Sequence, residues 1–173
     1  MKNNELKLIA EDLIETFKKA GDLSIELYRN GLKVELKDDN SPVSNGDLKV
    51  NELITDKIKK LTPSIPIISE ETVDIKIKNS FDIFWLIDPI DGTREYIAGK
   101  EEYTLNAALV VNTVPVLGIV GVPKKKRLFY SFAPGESYLI ENGNIKKISC
   151  KKQQPKNKIV ALSSMGKPSD LIL

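Results

Sequence analysis

Two carboxylates, a proline and a glycine follow directly on an apolar run in Trp85-Leu86-Ile87-Asp88-Pro89-Ile90-Asp91-Gly92-Thr93, and nowhere else among the 173 residues. Two carboxylates about 4 Å apart repel by roughly 4 kcal/mol at an effective dielectric near 20, so a turn that holds them needs a counterion or a proton. Hard oxygen ligands on a tight turn suit magnesium. Gly92 lets the backbone approach a ligand closely, and a short helix opening at Thr93 and running through Tyr96 would aim free N–H groups at an anion. Taken alone, the string is equally an ordinary Asp-Gly turn with an Asp before a helix.

A second acidic pair supplies the context. Ile65 to Ile68 is a short β run that delivers Ser69-Glu70-Glu71. If that strand lies beside Ile83–Ile87, two glutamates and two aspartates arrive at one edge of a sheet. Such a concentration of charge calls for a metal or shifted pKa values. Asp47 follows Ser44-Asn45-Gly46 at the head of a helical pattern. On local grounds it is structural, an acid in a first helical turn that closes a capping box with Ser44.

The elements that must position these residues are legible around them. Apolar residues at helical spacing from Asn4 to Tyr28 predict a long amphipathic helix ended by Asn30-Gly31. Leu32–Leu36 reads as a short strand and Lys37–Pro42 as a polar loop. A second helix starts at Ser44, buries Val50, Leu53, Ile54, Ile58 and Leu61, and closes at Thr62-Pro63. The strand over Ile83–Ile87 is expected to stop at Asp88, because Pro89 has no N–H for the ladder. Beyond it, Tyr103–Asn112, Val114–Val122, Arg127–Ala133, Glu136–Ile140 and Ile145–Cys150 read as an antiparallel meander, with Asn142-Gly143 as a hairpin turn. Lys124-Lys125-Lys126-Arg127 reads as a solvated hairpin tip. The expected class is α+β, with two N-terminal helices on a largely antiparallel sheet over residues 1–150. Residues 151–157 have a linker's composition, and 158–173 read as the start of a second unit cut short, with a helix begun at Pro168 and Leu171, Ile172 and Leu173 bare.

Composition narrows the chemistry further. With 41 % hydrophobic and 29 % charged residues the chain is globular, and a net charge of +2 gives no electrostatic case for nucleic acid or an anionic membrane. No apolar run is long enough for a membrane span and the N-terminus lacks a signal-peptide core, so the expected location is cytoplasmic. There is no histidine, which removes Ser-His-Asp and Cys-His catalysis and histidine-ligated zinc, and Cys150 is the single thiol. Carboxylates, hydroxyls, lysines and a hard metal remain.

With those residues in view, the sequence resembles the inositol monophosphatase superfamily of magnesium-dependent phosphatases, and within it the 3'(2'),5'-bisphosphate nucleotidases of sulfate assimilation. The matching stretches are Lys37-Asp38-Asp39-Asn40-Ser41-Pro42-Val43-Ser44, Pro66-Ile67-Ile68-Ser69-Glu70-Glu71, Trp85–Thr93 and Pro115-Val116-Leu117-Gly118-Ile119-Val120. Thr93-Arg94-Glu95-Tyr96 and Glu102-Tyr103-Thr104-Leu105-Asn106 are similar to the nucleotidase branch's D-G-T-K-E-F and E-F-T-x-N, where inositol phosphatases show D-G-T-x-N-F.

The resemblance implies the N-terminal half of a layered αβαβα fold, with the second αβα domain, and its W-D-x-A-A-G aspartate, missing. It implies two or three magnesium ions: Glu70, Asp88 and the Ile90 carbonyl on one, Asp88 and Asp91 on a second, and Glu71 reaching an outer or third ion through water. It implies that Asp47 and Thr93, with Glu70, act on the attacking water, which overturns the structural reading of Asp47. It further implies that the substrate phosphate sits among Glu70, Ile90, Asp91, Gly92 and Thr93. Asn45-Gly46 departs from the family's usual x-Ala and should loosen the helix start by roughly 1 kcal/mol. The activity implied is removal of the 3'-phosphate from adenosine 3',5'-bisphosphate. An inositol monophosphatase is the alternative, and a fragment that binds metal and phosphate without turnover is the alternative of another class. The face where a second domain would pack invites self-association, with a homodimer as its simplest form.

Overall fold

The computed structural model describes residues 1–72 and 81–149. The chain begins with α1, Asn3–Arg29, followed by β1, Val34–Leu36. β1 pairs antiparallel with β2, Pro42–Ser44, a hairpin that the polar composition of the intervening loop concealed. α2, Asn45–Leu61, leads to β3, Ile67–Ser69. β4 spans Ile83–Asp91 and α3 spans Thr93–Ile97. The meander follows as β5, Thr104–Val111; β6, Val114–Val122; β7, Arg127–Ala133; β8, Glu136–Glu141; and β9, Asn144–Ile148.

The seven strands β3 to β9 lie in sequence order in one sheet. All pairs are antiparallel except β3 with β4, which run parallel. The expected α+β class and the meander are thus observed. The expected linker at 151–157, the second unit at 158–173 and Cys150 lie outside the described residues.

Both long helices cover one face of the sheet. Leu13, Phe17 and Ala20 of α1 and Val50, Ile54 and Ile58 of α2 are buried together with Trp85, Ile87, Leu105, Leu109, Leu117 and Ile119 of the strands. Alternate residues point inward along each strand, so Trp85 and Ile87 are buried while Leu86 between them is 50 % exposed on the far face. The Trp85 indole would be a polar orphan in this core, but its Nε1–H donates to Thr62 Oγ1 at 2.9 Å. The end of α2 is thereby fixed against the middle of β4.

Two local expectations are corrected and one is refined. β4 does not stop at Asp88 but continues through Pro89 to Asp91. The register with β5 shifts between Asp88 and Asp91, and Pro89 falls within that irregularity, where its missing N–H costs no ladder bond. The lysine-rich segment is a solvated hairpin tip between β6 and β7, as expected, with Lys125, Lys126 and Arg127 exposed, but its start is anchored. Pro123–Lys125 forms a turn of 3-10 helix, Pro123 packs against Gly21 of α1, and Lys124 Nζ lies 5.0 Å from the centre of the Tyr28 ring.

Gly46 is the second correction. A methyl group there would lie 2.5 Å from the Tyr96 hydroxyl. Tyr96 is buried and its OH donates to the Ser24 carbonyl at 2.7 Å, so it has nowhere to retreat. The glycine makes room for a tyrosine instead of merely loosening a helix.

Candidate functional site

The parallel pairing of β3 and β4 brings the acidic strand ends together. Ser69 lies opposite Ile87, and the Glu70 N–H donates to the Ile87 carbonyl at 3.1 Å, which sets Glu70 beside Asp88. Ser69 Oγ donates to Asn51 Oδ1 at 2.7 Å and ties this strand end to α2.

The irregularity in β4 decides where the aspartates face. Asp88 pairs with Asn106 and Asp91 with Thr104, so β4 advances three residues while β5 advances two. In a regular strand Asp91 would share the inward parity of Trp85 and Ile87; the extra residue returns it to the outward face that Asp88 occupies. Asn106, on the same face of β5, donates through Nδ2 to Asp91 Oδ2 at 3.3 Å and to Thr104 Oγ1 at 3.1 Å.

Asp47 arrives from the other side, at the head of α2. Ser44 caps the helix by accepting from the Gly46 N–H at 3.1 Å, and Asp47 Oδ2 accepts from the Ser44 N–H at 2.8 Å and from Ser44 Oγ at 2.6 Å. Its other oxygen, Oδ1, lies 3.0 Å from Thr93 Oγ1, which is also 3.1 Å from the Ile90 carbonyl. The single hydroxyl proton serves one of these acceptors at a time. The structure therefore brings Asp47 to Thr93, 46 positions later in the chain, beside the Ile90 carbonyl.

Gly92 adopts φ +95°, and a Cβ on it would meet the Glu102 carbonyl oxygen at 2.9 Å. The close approach that it permits is therefore to the chain's own backbone, and this seats α3 against the start of β5. A cavity of about 250 Å³ opens in front of α3, lined by Glu70, Asp88, Asp91, Gly92, Thr93 and Arg94 among others.

The electrostatics are uneven. Burial first, then the charges of Glu70 and Asp91, push the Asp88 carboxyl up to about 7. Asp88 Oδ1 is buried without a hydrogen-bond partner. Among the described residues no three acidic side chains converge into a ready-made metal cage.

Beside the acids stands Lys37, a residue to which the sequence assigned no role. Its Nζ lies 3.0 Å from Glu71 Oε1 and 3.4 Å from Glu70 Oε1, separated from them by 34 and 33 positions in the chain. Burial works against the ammonium, but Glu71 and Glu70 outweigh it and hold Lys37 above its usual range. Burial also raises the Glu71 carboxyl, against the pull of Lys37.

Residues 5–170 match the inositol monophosphatase family. The chain belongs to that family. The 3'(2'),5'-bisphosphate nucleotidase CysQ of Salmonella typhimurium is 33% identical over 156 residues, which cover 88% of this chain and 63% of the relative. The crystal structure of CysQ from Bacteroides thetaiotaomicron superposes with a TM-score of 0.63 at 32% identity, over 82% of this chain and 52% of that one. An IMPase/NADP phosphatase complexed with Mg2+ and phosphate shares the fold, with a TM-score of 0.68 at 21% identity over 79% of this chain and 52% of that one. The chain thus spans little more than half the length of these family members.

Proposed function

We propose that this chain carries the metal- and phosphate-binding half of a phosphomonoesterase that removes the 3'-phosphate from adenosine 3',5'-bisphosphate. The observation that carries the reading is the buried, unpartnered Asp88 Oδ1 at the junction of β3 and β4, with Glu70 beside it and Asp91 on the same face. A carboxylate oxygen withdrawn from water and from every donor is well matched to a hard dication. Glu70, Asp88, Asp91 and the Ile90 carbonyl are the atoms to hold it, as two or three magnesium ions. Bound magnesium would supply charge neutralisation at the attacking and leaving oxygens of an in-line displacement.

The chain's own residues supply the geometry. Thr93 Oγ1, its proton directed to Asp47 Oδ1, presents a lone pair that can accept a proton from the attacking water. Asp47 stays oriented because both Ser44 donors engage its other oxygen. Gly92 and Thr93 N–H groups at the start of α3 would hold the phosphate. Glu70, which lines the same cavity, would contact the same water.

The identity to the CysQ nucleotidases supports this substrate over an inositol phosphate. A domain that binds metal and phosphate without turnover is the second reading. Phosphate release from adenosine 3',5'-bisphosphate, with and without magnesium and beside a full-length CysQ, separates the two. Magnesium-dependent release supports the enzyme; no release from folded, metal-binding protein overturns catalysis by this chain. No helix among the described residues is long and apolar enough to cross a membrane.

A further inference from the structure

We propose that Lys37 is a tethered counter-cation, holding the acidic cluster together when no metal is bound and leaving when a dication arrives. The inference rests on the divalent-cation reading of the site and names the group that must move for it to fill.

The Lys37 ammonium bridges Glu71 at 3.0 Å and Glu70 at 3.4 Å, and Glu70 is a nominated metal ligand. Among the described residues it is the only cation paired with Glu70, Glu71, Asp88 or Asp91. Its side chain is 26 % exposed and that of Glu71 only 4 %, so the pair is largely withdrawn from water and holds Glu71 without pinning the metal-facing edge. A dication on Glu70 and Asp88 would share an oxygen ligand with this ammonium. Two cations so close repel strongly in a half-buried site, and the one with a route to water leaves.

The backbone gives Lys37 that route. Its N–H donates to the Ser41 carbonyl at 2.9 Å and its carbonyl accepts from the Asn40 N–H at 2.9 Å, closing the turn that joins β1 to β2. Asp39 accepts from the Ser41 N–H at 2.9 Å within the same turn. The main chain is therefore fixed without help from the side chain, and the ammonium can swing away while the loop stays folded. An open cleft lined by Lys37, Asp38, Asp39, Glu70 and Asp88 lies beside it, so the released charge meets two carboxylates of its own loop.

Two measurements test this on the whole chain. Calorimetric titration with Mn2+ should show Lys37→Met binding about tenfold more tightly than wild type, because a unit charge has left the neighbourhood of a dication. Acylation by a lysine-selective reagent, read by mass spectrometry on wild-type protein, should show Lys37 labelling rising several-fold in saturating Mg2+ relative to exposed Lys33. Asp88→Asn should abolish that rise. A purely structural ion pair would give weaker or unchanged Mn2+ binding in Lys37→Met and metal-independent labelling, and either result, with wild type binding Mn2+, overturns the displacement alone. If neither wild type nor Lys37→Met binds Mn2+, the divalent-cation reading falls and the displacement with it.

Discussion

At the head of α2, Asp47 accepts hydrogen bonds from the Ser44 N–H, Ser44 Oγ and Thr93 Oγ1. Near the end of β4, Asp88 is half-buried, its Oδ1 is withdrawn from water without a donor, and its neighbours Glu70 and Asp91 repel its charge. One carboxylate is complete within the fold, and the other is complete only with something added. Under the proposed function the first acid is scaffold for a proton and the second a seat for a cation.

The largest test of the contrast is removal of the unsatisfied member. Asp88→Asn should lower Mn2+ affinity roughly hundredfold or more, beyond what loss of an outer hydrogen bond causes, as read by calorimetry. The same variant should flatten the pH dependence of the metal-free protein. The folded-state pKa of Asp88, about 7, lies above its ordinary value of 3.8, so the fold binds the proton more tightly than the unfolded chain. Its stabilising contribution is present below the unfolded value and is lost as pH rises through about 7. Chemical denaturation of wild type without metal should therefore show falling stability from pH 5 to 8, with a shallower fall in Asp88→Asn.

Crowding behind Asp47 gives the next effect. Gly46→Ala gains up to about 1 kcal/mol in helix propensity, but overpacking against the fixed Tyr96 costs about 1 to 3 kcal/mol. The net expectation is a lower Tm by thermal melt, and adding Tyr96→Phe should not recover it, because the ring carbons Cε1 and Cζ, 2.6 and 2.9 Å from the added methyl, remain. A smaller loss, about 1 kcal/mol, is expected for Ser44→Ala, which removes the helix cap and one donor to Asp47. Its phosphatase rate should fall more than its stability. The smallest effect is far from the contrast: Lys147→Ala breaks an exposed pair with Glu136 and should leave the melt and metal binding unchanged.

Which parts of this arrangement were legible depends on how far apart the partners lie in the chain. The Ser44–Asp47 capping box spans three residues and was read directly, as were both long helices and the meander. The role of Gly46 was misread because propensity is a property of one position, while the constraint comes from Tyr96, fifty residues later. β4 was ended too soon because Pro89 was judged by the ladder of a regular strand, and the irregularity that excuses it is a property of the pairing with β5. Lys37 stood inside a stretch shared with the family, but its ion pair needs the β1–β2 turn and the end of β3 to meet, and no local pattern encodes that. The motif as a string was therefore readable, whereas the balance of charge within it was not.

The count of residues between Asp88 and Asp91 carries a consequence of its own. Three steps on β4 against two on β5 is what turns both carboxylates to the same side. Side chains at 89 and 90 can be exchanged within the demands of packing, and deleting one position would leave a regular two-against-two alternation that still faces both carboxylates outward. The irregularity is what lets the motif hold one residue more between them, so that the Ile90 carbonyl can reach Thr93 Oγ1.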